Sequence, residues 1–142
     1  MKPTKIAAEK IQAYAATEYH LIQPTDSIIL HVDRPCKKLS SLFTTRSVQS
    51  AALITAYNPL GTQQSPPLNT LAQQTLITQI NTLGYEYIEA VNISPQGNWP
   101  PEPSLFIFGI PIDAAFSLGQ RFNQDALIWV AENYIPKLLL LR

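Results

Sequence analysis

Residues 51–57 read AALITAY, an almost unbroken apolar run of strand length. This pattern is typical of a strand that is covered on both faces. Asn58 and Pro59 follow and end the strand, because proline has no backbone N–H to donate to a neighbouring strand. We therefore place residues 51–57 in the middle of a β-sheet.

The segments around this strand alternate between two periodicities. Apolar residues three and four apart indicate helices, and short β-prone runs indicate strands. Predicted helices cover residues 4–17, 37–46, 66–83 and 113–122. Predicted strands cover residues 19–23, 27–32, 51–57, 85–91, 104–110, 126–131 and 136–141. The Pro24-Thr25-Asp26 turn favours an antiparallel pair at the start of the sheet, and the last two strands are predicted to form a hairpin.

These elements predict an α+β fold, with one mixed, mainly antiparallel sheet of five to seven strands and about three helices packed on it. Residues 1–142 are expected to form a single globular domain, made of an N-terminal helix (1–17) and a sheet-containing body (18–142). With 46% apolar residues, a chain of this size has a core that needs neither disulfide nor metal. Cys36, the one cysteine, is interpreted as a bystander thiol.

Charge is sparse and unevenly distributed. The chain has ten basic and ten acidic side chains, yet no Lys or Arg lies between Ser47 and Gln120. A nucleic-acid surface normally needs a row of cations, so a nucleic-acid partner is not expected. Arg34, Lys37, Lys38 and Arg46 form the one basic cluster, which we interpret as a solvated face.

Membrane and cofactor signals are absent from the sequence. No apolar run reaches the length of a membrane span and no signal peptide is recognisable, so we expect a cytoplasmic protein without a membrane partner. The chain contains no glycine-rich phosphate loop, no G-x-S-x-G and no H-E-x-x-H. His20 and His31 have no other ligand-type residue at metal-binding spacing. We expect neither a metal nor another cofactor.

Polar residues concentrate at strand ends and in two proline-containing loops, where rigid scaffolds usually present functional groups. The candidate ligand-binding residues are Tyr57, Asn58, Asn69, Trp99, Glu102, Ser104 and Gln124. Glu102 stands between Pro101 and Pro103, which restrict its backbone. It could bind a ligand hydroxyl or amine, or act as a general base if burial raises its pKa. The alternative is that it caps a backbone donor in its own loop.

Structural explanations compete for the other candidates. Ser65 is interpreted as the N-cap of the helix that begins at Pro66. Asn58 is suited to an Asx-type turn, and Trp99 to a hydrophobic lid over the sheet edge.

Arg121 can complement a helix dipole, with Asn123 in the left-handed conformation after that helix. Alternatively, Arg121 is a candidate catalytic partner of Glu102. Any anion near Glu102 would have to be neutralised by Arg121, or by Arg34 or Arg46 folded towards it.

The order of motifs resembles the bacterial family known as domain of unknown function 3293. The resemblance rests on residues 54–59, Ser65, Asn69, Gly97-x-Trp99-Pro100-x-Glu102-Pro103-Ser104, Gly119-x-Arg121-Phe122-x-Gln124-x-Ala126 and Leu138-Leu139-Leu140, and it runs from about Tyr14 onwards. The chain departs from the family pattern at Ala72, where a basic residue is expected, and at Asn123, where a glycine is usual. The resemblance implies a single small domain of α/β type and transfers no reaction.

Three functions remain open from the sequence. The first is a binding module for a small polar ligand or short peptide between the two loops. The second is a protein-interaction or regulatory domain that forms a homodimer or docks a partner through exposed strand edges. The third is a metal-independent hydrolase or transferase with Glu102 as general base and Arg121 stabilising negative charge.

Overall fold

The computed structural model describes residues 3–25 and 27–142. Met1, Lys2 and Asp26, which include part of the predicted first turn, lie outside the described residues. Among the described residues, the α-helices are α1 (Ala8–Ala16), α2 (Leu39–Arg46), α3 (Pro66–Leu83) and α4 (Ile112–Arg121). The strands are β1 (Glu18–Leu21), β2 (Ile28–Leu30), β3 (Ala51–Ile54), β4 (Tyr87–Ile93), β5 (Glu102–Phe108), β6 (Ala126–Val130) and β7 (Pro136–Leu140).

The strands form one seven-stranded sheet in the order β2-β1-β4-β5-β3-β6-β7. Every neighbouring pair is antiparallel, including the predicted β1–β2 pair and the C-terminal β6–β7 hairpin. The apolar run of β3 lies between β5 and β6, as its composition predicts. The α+β class is therefore confirmed, and the sheet is wholly antiparallel rather than mixed.

The sheet curls until the segment after β2 meets the start of β7. The backbone N–H of Asp33 donates to the carbonyl of Pro136 at 2.8 Å, and that of Cys36 donates to the carbonyl of Tyr134 at 2.9 Å. These contacts join opposite ends of the strand order. The curl gives the sheet a concave inner face and an outer face.

Each face carries its own core. On the inner face, Phe43 of α2 packs against Phe106 and Phe108 of β5, with ring centroids 6.4 and 6.3 Å away. This cluster and α2 fill one end of the concave face. On the outer face, α3 and α4 cover Ile54 of β3 and Leu105 of β5.

The first helix is shorter than predicted. It begins at Ala8 rather than at residue 4, because Thr4 competes for the backbone. The Thr4 hydroxyl accepts a hydrogen bond from the N–H of Ile6 at 3.2 Å and donates to the carbonyl of Arg142 at 2.7 Å. The start of the described chain is thereby attached to its C-terminal residue.

The buried face of α3 differs from the predicted apolar stripe of Leu68, Ala72, Leu76, Ile80 and Leu83. Leu68 and Leu83 are 54% and 56% exposed. Two amide side chains, Asn69 and Gln73, lie on the buried face instead. The buried residues of the helix are Asn69, Gln73, Leu76 and Ile80. The amides face inward because the chain after β3 needs hydrogen-bond partners, and hydrogen bonding offsets the cost of burying them.

The ends of α3 follow the prediction only in part. Ser65 occupies the N-cap position, but its hydroxyl makes no capping hydrogen bond. Its carbonyl instead accepts the N–H of Asn69 at 3.0 Å. Gly84 ends the helix with φ +83°, a conformation that glycine adopts readily. Within the described chain, none of these helices has the length and apolarity needed to cross a bilayer.

Candidate functional site

A cavity of about 600 Å³ lies at the end of the inner face opposite α2. Its walls are α1, the starts of β1, β5 and β6, the ends of β3 and β4, Leu138 of β7, and the loop between β4 and β5. The polar and aromatic residues that define it are Lys10, Tyr14, Tyr57, Asn58, Asn92, Trp99, Glu102, Gln124 and Asp125. The antiparallel register explains this assembly, because alternate strands end at the same edge of the sheet.

Glu102 is the first residue of β5 and lies opposite Asn92 of β4. Its Oε2 accepts two hydrogen bonds, from Asn58 Nδ2 at 2.6 Å and from Trp99 Nε1 at 2.9 Å. The predicted alternative of a backbone cap is wrong, since both donors are side chains. The two donors fix the orientation of the carboxylate at the cavity wall.

Burial raises the pKa of the Glu102 carboxyl above its ordinary value, and the hydrogen bonds from Trp99 and Asn58 oppose that rise. Burial favours the neutral form of a carboxyl group, whereas donors favour the charged form. No described Lys, Arg or His lies within ion-pair distance of Glu102. Its remaining oxygen, Oε1, has no hydrogen-bond partner among the described residues.

Asn58 joins the loop after β3 to α3. Its backbone is left-handed, with φ +49°, and its Oδ1 accepts the N–H of Gln64 at 2.9 Å and Nδ2 of Asn69 at 2.8 Å. The N–H of Asn58 donates to Oδ1 of Asn69 at 2.8 Å. The residue is therefore a junction between two elements and Glu102 rather than the predicted Asx-type turn.

The wall formed by α1 is attached to β6 through Asp125. The Tyr14 hydroxyl donates to Oδ2 of Asp125 at 2.5 Å, and Nε of Arg142 donates to Oδ1 at 2.6 Å. Burial, reinforced by the hydrogen bond to Asp125, raises the pKa of Tyr14. Lys10 Nζ donates to the carbonyls of Leu60 and Gly61, each at 3.2 Å. No residue of α1 itself is buried, so these polar contacts hold the helix over the cavity.

Sequence reasoning missed this wall. Lys10 and Tyr14 stand four residues apart, which places them on one face of a helix, and Asp125 adjoins the candidate Gln124. Those signals exist in the sequence. What it does not supply is the curl that brings residue 14 to residue 125.

The predicted site residues divide into two groups. Tyr57, Asn58, Trp99, Glu102 and Gln124 line the cavity, and Gln124 Nε2 donates to the carbonyl of Tyr57 at 3.1 Å. Trp99 is therefore a cavity residue and a donor to Glu102.

The other two predicted residues lie behind the wall. Asn69 is buried against Asn58, as described above. Ser104 is 1% exposed and donates to Oδ1 of Asn92 at 2.7 Å. Neither residue lines the cavity. Their contacts are with residues that do, so they act as supports.

The structure does not bring the predicted cations to Glu102. Arg121 donates to Gln79 of α3 at 2.9 Å, on the outer side, and Arg46 lies 4.3 Å from the ring centre of Phe108. These two residues and Arg34 are not among the cavity-lining residues, whereas Lys10 of α1 is. The predicted cations were wrong because α1, which carries Lys10, was not expected to lie at the site. In residues 3–25 and 27–142, no group of three His, Cys, Asp or Glu side chains is placed to hold a metal ion.

The fold and this cavity define the protein as a small α+β domain with a lined pocket at one end of a curled sheet. A family model described as "Protein of unknown function (DUF3293)" matches residues 54–127, just over half of the chain. The chain belongs to this family. The matched segment contains both loops that carry Asn58 and Glu102, but not α1. None of the curated proteins and none of the solved structures matches the chain.

Proposed function

We propose that this protein binds a small polar ligand in the cavity between α1 and the open end of the sheet, with Glu102 as the main polar contact. The observation that carries the proposal is the state of the Glu102 carboxylate. One oxygen is held by Asn58 and Trp99, while the other has no described partner. A carboxylate that is fixed but half-occupied is prepared to accept a donor from a ligand.

The size and lining of the cavity support the same function. A volume of about 600 Å³ falls within the usual range of small-molecule sites, roughly 300–1,000 Å³. Tyr14, Tyr57 and Trp99 supply aromatic surface beside the polar groups. Such sites commonly combine an apolar lining with a few placed hydrogen-bonding groups.

The hydrolase or transferase hypothesis loses one of its two catalytic residues. Glu102 lies in the cavity with a raised pKa, as a general base requires. Arg121 contacts Gln79 instead, so the proposed stabiliser of negative charge is absent from the site. We therefore favour binding over catalysis.

A thermal-shift screen tests the proposal. The full chain is heated with a panel of amines, sugars, amino acids, carboxylic acids and nucleotides, and stabilising compounds are titrated by calorimetry. Glu102→Gln keeps an acceptor for Asn58 and Trp99 and removes the negative charge. Glu132→Gln, at an exposed position outside the cavity, is the matched control.

We expect at least one compound to stabilise the native protein and the Glu132→Gln variant, with the effect lost or strongly reduced in Glu102→Gln. A panel without any stabilising compound would contradict the proposal. So would a ligand whose affinity is the same in all three proteins.

A further inference from the structure

Glu102 differs from the other acidic side chains at the cavity because it has neither a cation partner nor an exposed position. Asp125 is paired with Arg142 at 2.6 Å and also accepts the Tyr14 hydroxyl. Glu9 lies on the exposed side of α1, where water can solvate it. Glu102 is partly buried and receives only neutral donors. Buried charges in proteins are usually paired, so the partly buried Glu102 favours a ligand of opposite charge beside it.

Lys10 does not supply that partner. Its ammonium group carries three N–H donors, and two of them bind the carbonyls of Leu60 and Gly61. It also lies beside Asp125, because a methyl group added at Gly61 would come within 2.8 Å of Lys10 Nζ and 2.9 Å of Asp125 Oδ2. Its contacts therefore lie at the turn beside α1, and it forms no ion pair with Glu102.

The aromatic lining favours a cation as well. Tyr14, Tyr19, Tyr57 and Trp99 line the same cavity, and aromatic faces attract ammonium and guanidinium groups when water is excluded. Counted by formal charge, the lining residues comprise three carboxylates and one ammonium group: Glu9, Glu102, Asp125 and Lys10. Even with the charge of Asp125 balanced by Arg142, an anionic ligand would meet a net negative surface.

We infer that the ligand of this cavity is a small organic cation, whose ammonium or guanidinium group donates to Oε1 of Glu102 while its apolar part lies against Trp99 and Tyr57. This inference rests on the proposed function and specifies the ligand class. It assigns to the ligand the positive charge that the chain does not provide at Glu102.

Three probes with one aromatic body and different head groups test the charge directly. They are 2-phenylethylamine, 2-phenylethanol and 3-phenylpropanoate, with agmatine as a guanidinium probe, titrated into the full chain by calorimetry at pH 8. We expect one or both cations to bind, and the alcohol and the carboxylate to bind at least tenfold more weakly. Glu102→Gln should weaken the cation about tenfold or more, and Glu132→Gln should not change it.

The pH dependence of the native protein gives a second readout that needs no variant. A cation binds the ionised carboxylate, and a proton competes with it, so affinity should rise with pH through the pKa of Glu102 and then level off. The other titratable lining residues are Glu9, Lys10, Tyr14, Tyr19, Tyr57 and Asp125. Burial raises the pKa of Tyr14 and of Tyr19, which keeps both neutral in this range.

The results below would overturn the inference, and the wider panel would then show whether the proposed function also fails. Equal or tighter binding of the alcohol or the carboxylate would exclude a cation site, as would cation affinity that is unchanged in Glu102→Gln or independent of pH. Failure of both cations to bind would do the same. If the wider panel then yields a neutral or anionic ligand that depends on Glu102, only the ligand class is wrong; if it yields none, the proposed function falls too.

Discussion

The ionised form of Glu102 destabilises the free protein because folding moves its carboxyl group partly out of water without supplying a cation. Since its pKa is raised in the folded state, the folded protein binds the proton more tightly than the unfolded chain does. The stabilising contribution of the protonated form is complete below the unfolded pKa, about 4.3, and is lost as the pH rises through the folded pKa. Binding residues often carry such a cost.

We therefore predict that Glu102→Gln is more stable than the native protein at pH 8, with the difference shrinking towards pH 4. Glutamine stays neutral at both values and can still accept from Asn58 and Trp99. Urea unfolding at the two pH values measures this difference, and Glu132→Gln should show none. The measured quantity is the unfolding free energy of Glu102→Gln minus that of the native protein. If this difference is smaller at pH 8 than at pH 4, the desolvation argument is refuted.

The proximity of Asn58 and Glu102 could be predicted from the sequence, and it is confirmed by the 2.6 Å hydrogen bond between them. Asn58 follows a buried strand and Glu102 precedes one, each at a proline-containing loop. Antiparallel pairing brings such loops to one edge of the sheet. The partners of Asn58 could not be predicted. They depend on which way α3 rotates about its axis, and an apolar-stripe argument places Leu68 rather than Asn69 on its inner face.

At the scale of elements, α3 shows hydrogen bonding overriding the apolar pattern. Gln73 is buried and its Oε1 accepts the N–H of Ala56 at 3.0 Å, just beyond β3. Asn69 does the same for Asn58. These amides satisfy backbone groups that the end of β3 leaves without a strand partner. The leucines at both ends of the helix are left in solvent as a result.

A pair of identical substitutions tests this rotation of α3. Leu76→Ala, at a side chain with no exposed surface, should cost about 2–5 kcal/mol of unfolding free energy. Leu68→Ala, 54% exposed in the same helix, should change it by about 0.5 kcal/mol or less. Denaturant unfolding of both variants decides between the orientations. A large loss from Leu68→Ala would support the stripe that the sequence predicts instead.

The contact between α1 and the sheet depends on Gly61. Its φ of +66° is a conformation that side chains rarely adopt, and an added methyl group would lie within 3 Å of Lys10, Tyr14 and Asp125. Gly97 has a similar φ of +69° but nothing within 4 Å of the added group. The two glycines therefore share the backbone cost of substitution and differ in the crowding.

We predict that Gly61→Ala loosens α1 and lowers stability more than Gly97→Ala, which should cost about 1–2 kcal/mol from backbone strain alone. Hydrogen exchange of the α1 amides is the local readout, and it should accelerate only in Gly61→Ala. Equal exchange in the two variants would show that α1 is not held by the Lys10, Tyr14 and Asp125 contacts.

For the molecule as a whole, the curl of the sheet has two consequences. It places α2 at one end of the concave face and leaves a cavity at the other, and it joins the segment after β2 to β7. That junction uses backbone groups of Pro136 and Tyr134, so this part of the sheet edge is less open to a docked strand. The homodimer hypothesis stays a prediction for light scattering to check.

The class of fold could be predicted because most of the elements have clear periodicities and turn residues. Strand order and curl could not, since they depend on contacts between residues far apart, such as Tyr14 with Asp125. The same long-range contacts attach α1 to the cavity wall. The site was therefore predicted as two loops, whereas the structure adds α1 as a third side.

The indole resonances of the two tryptophans offer the most direct measurement of ligand binding at Glu102. Trp99 donates its Nε1 hydrogen to Glu102, whereas Trp129 packs on the outer face. When 2-phenylethylamine, or the most stabilising compound of the panel, is titrated into ¹⁵N-labelled protein, the Trp99 indole signal should move in a saturable way and the Trp129 signal should stay in place. Movement of Trp129 alone, or of neither signal at ligand saturation, would contradict binding at this cavity.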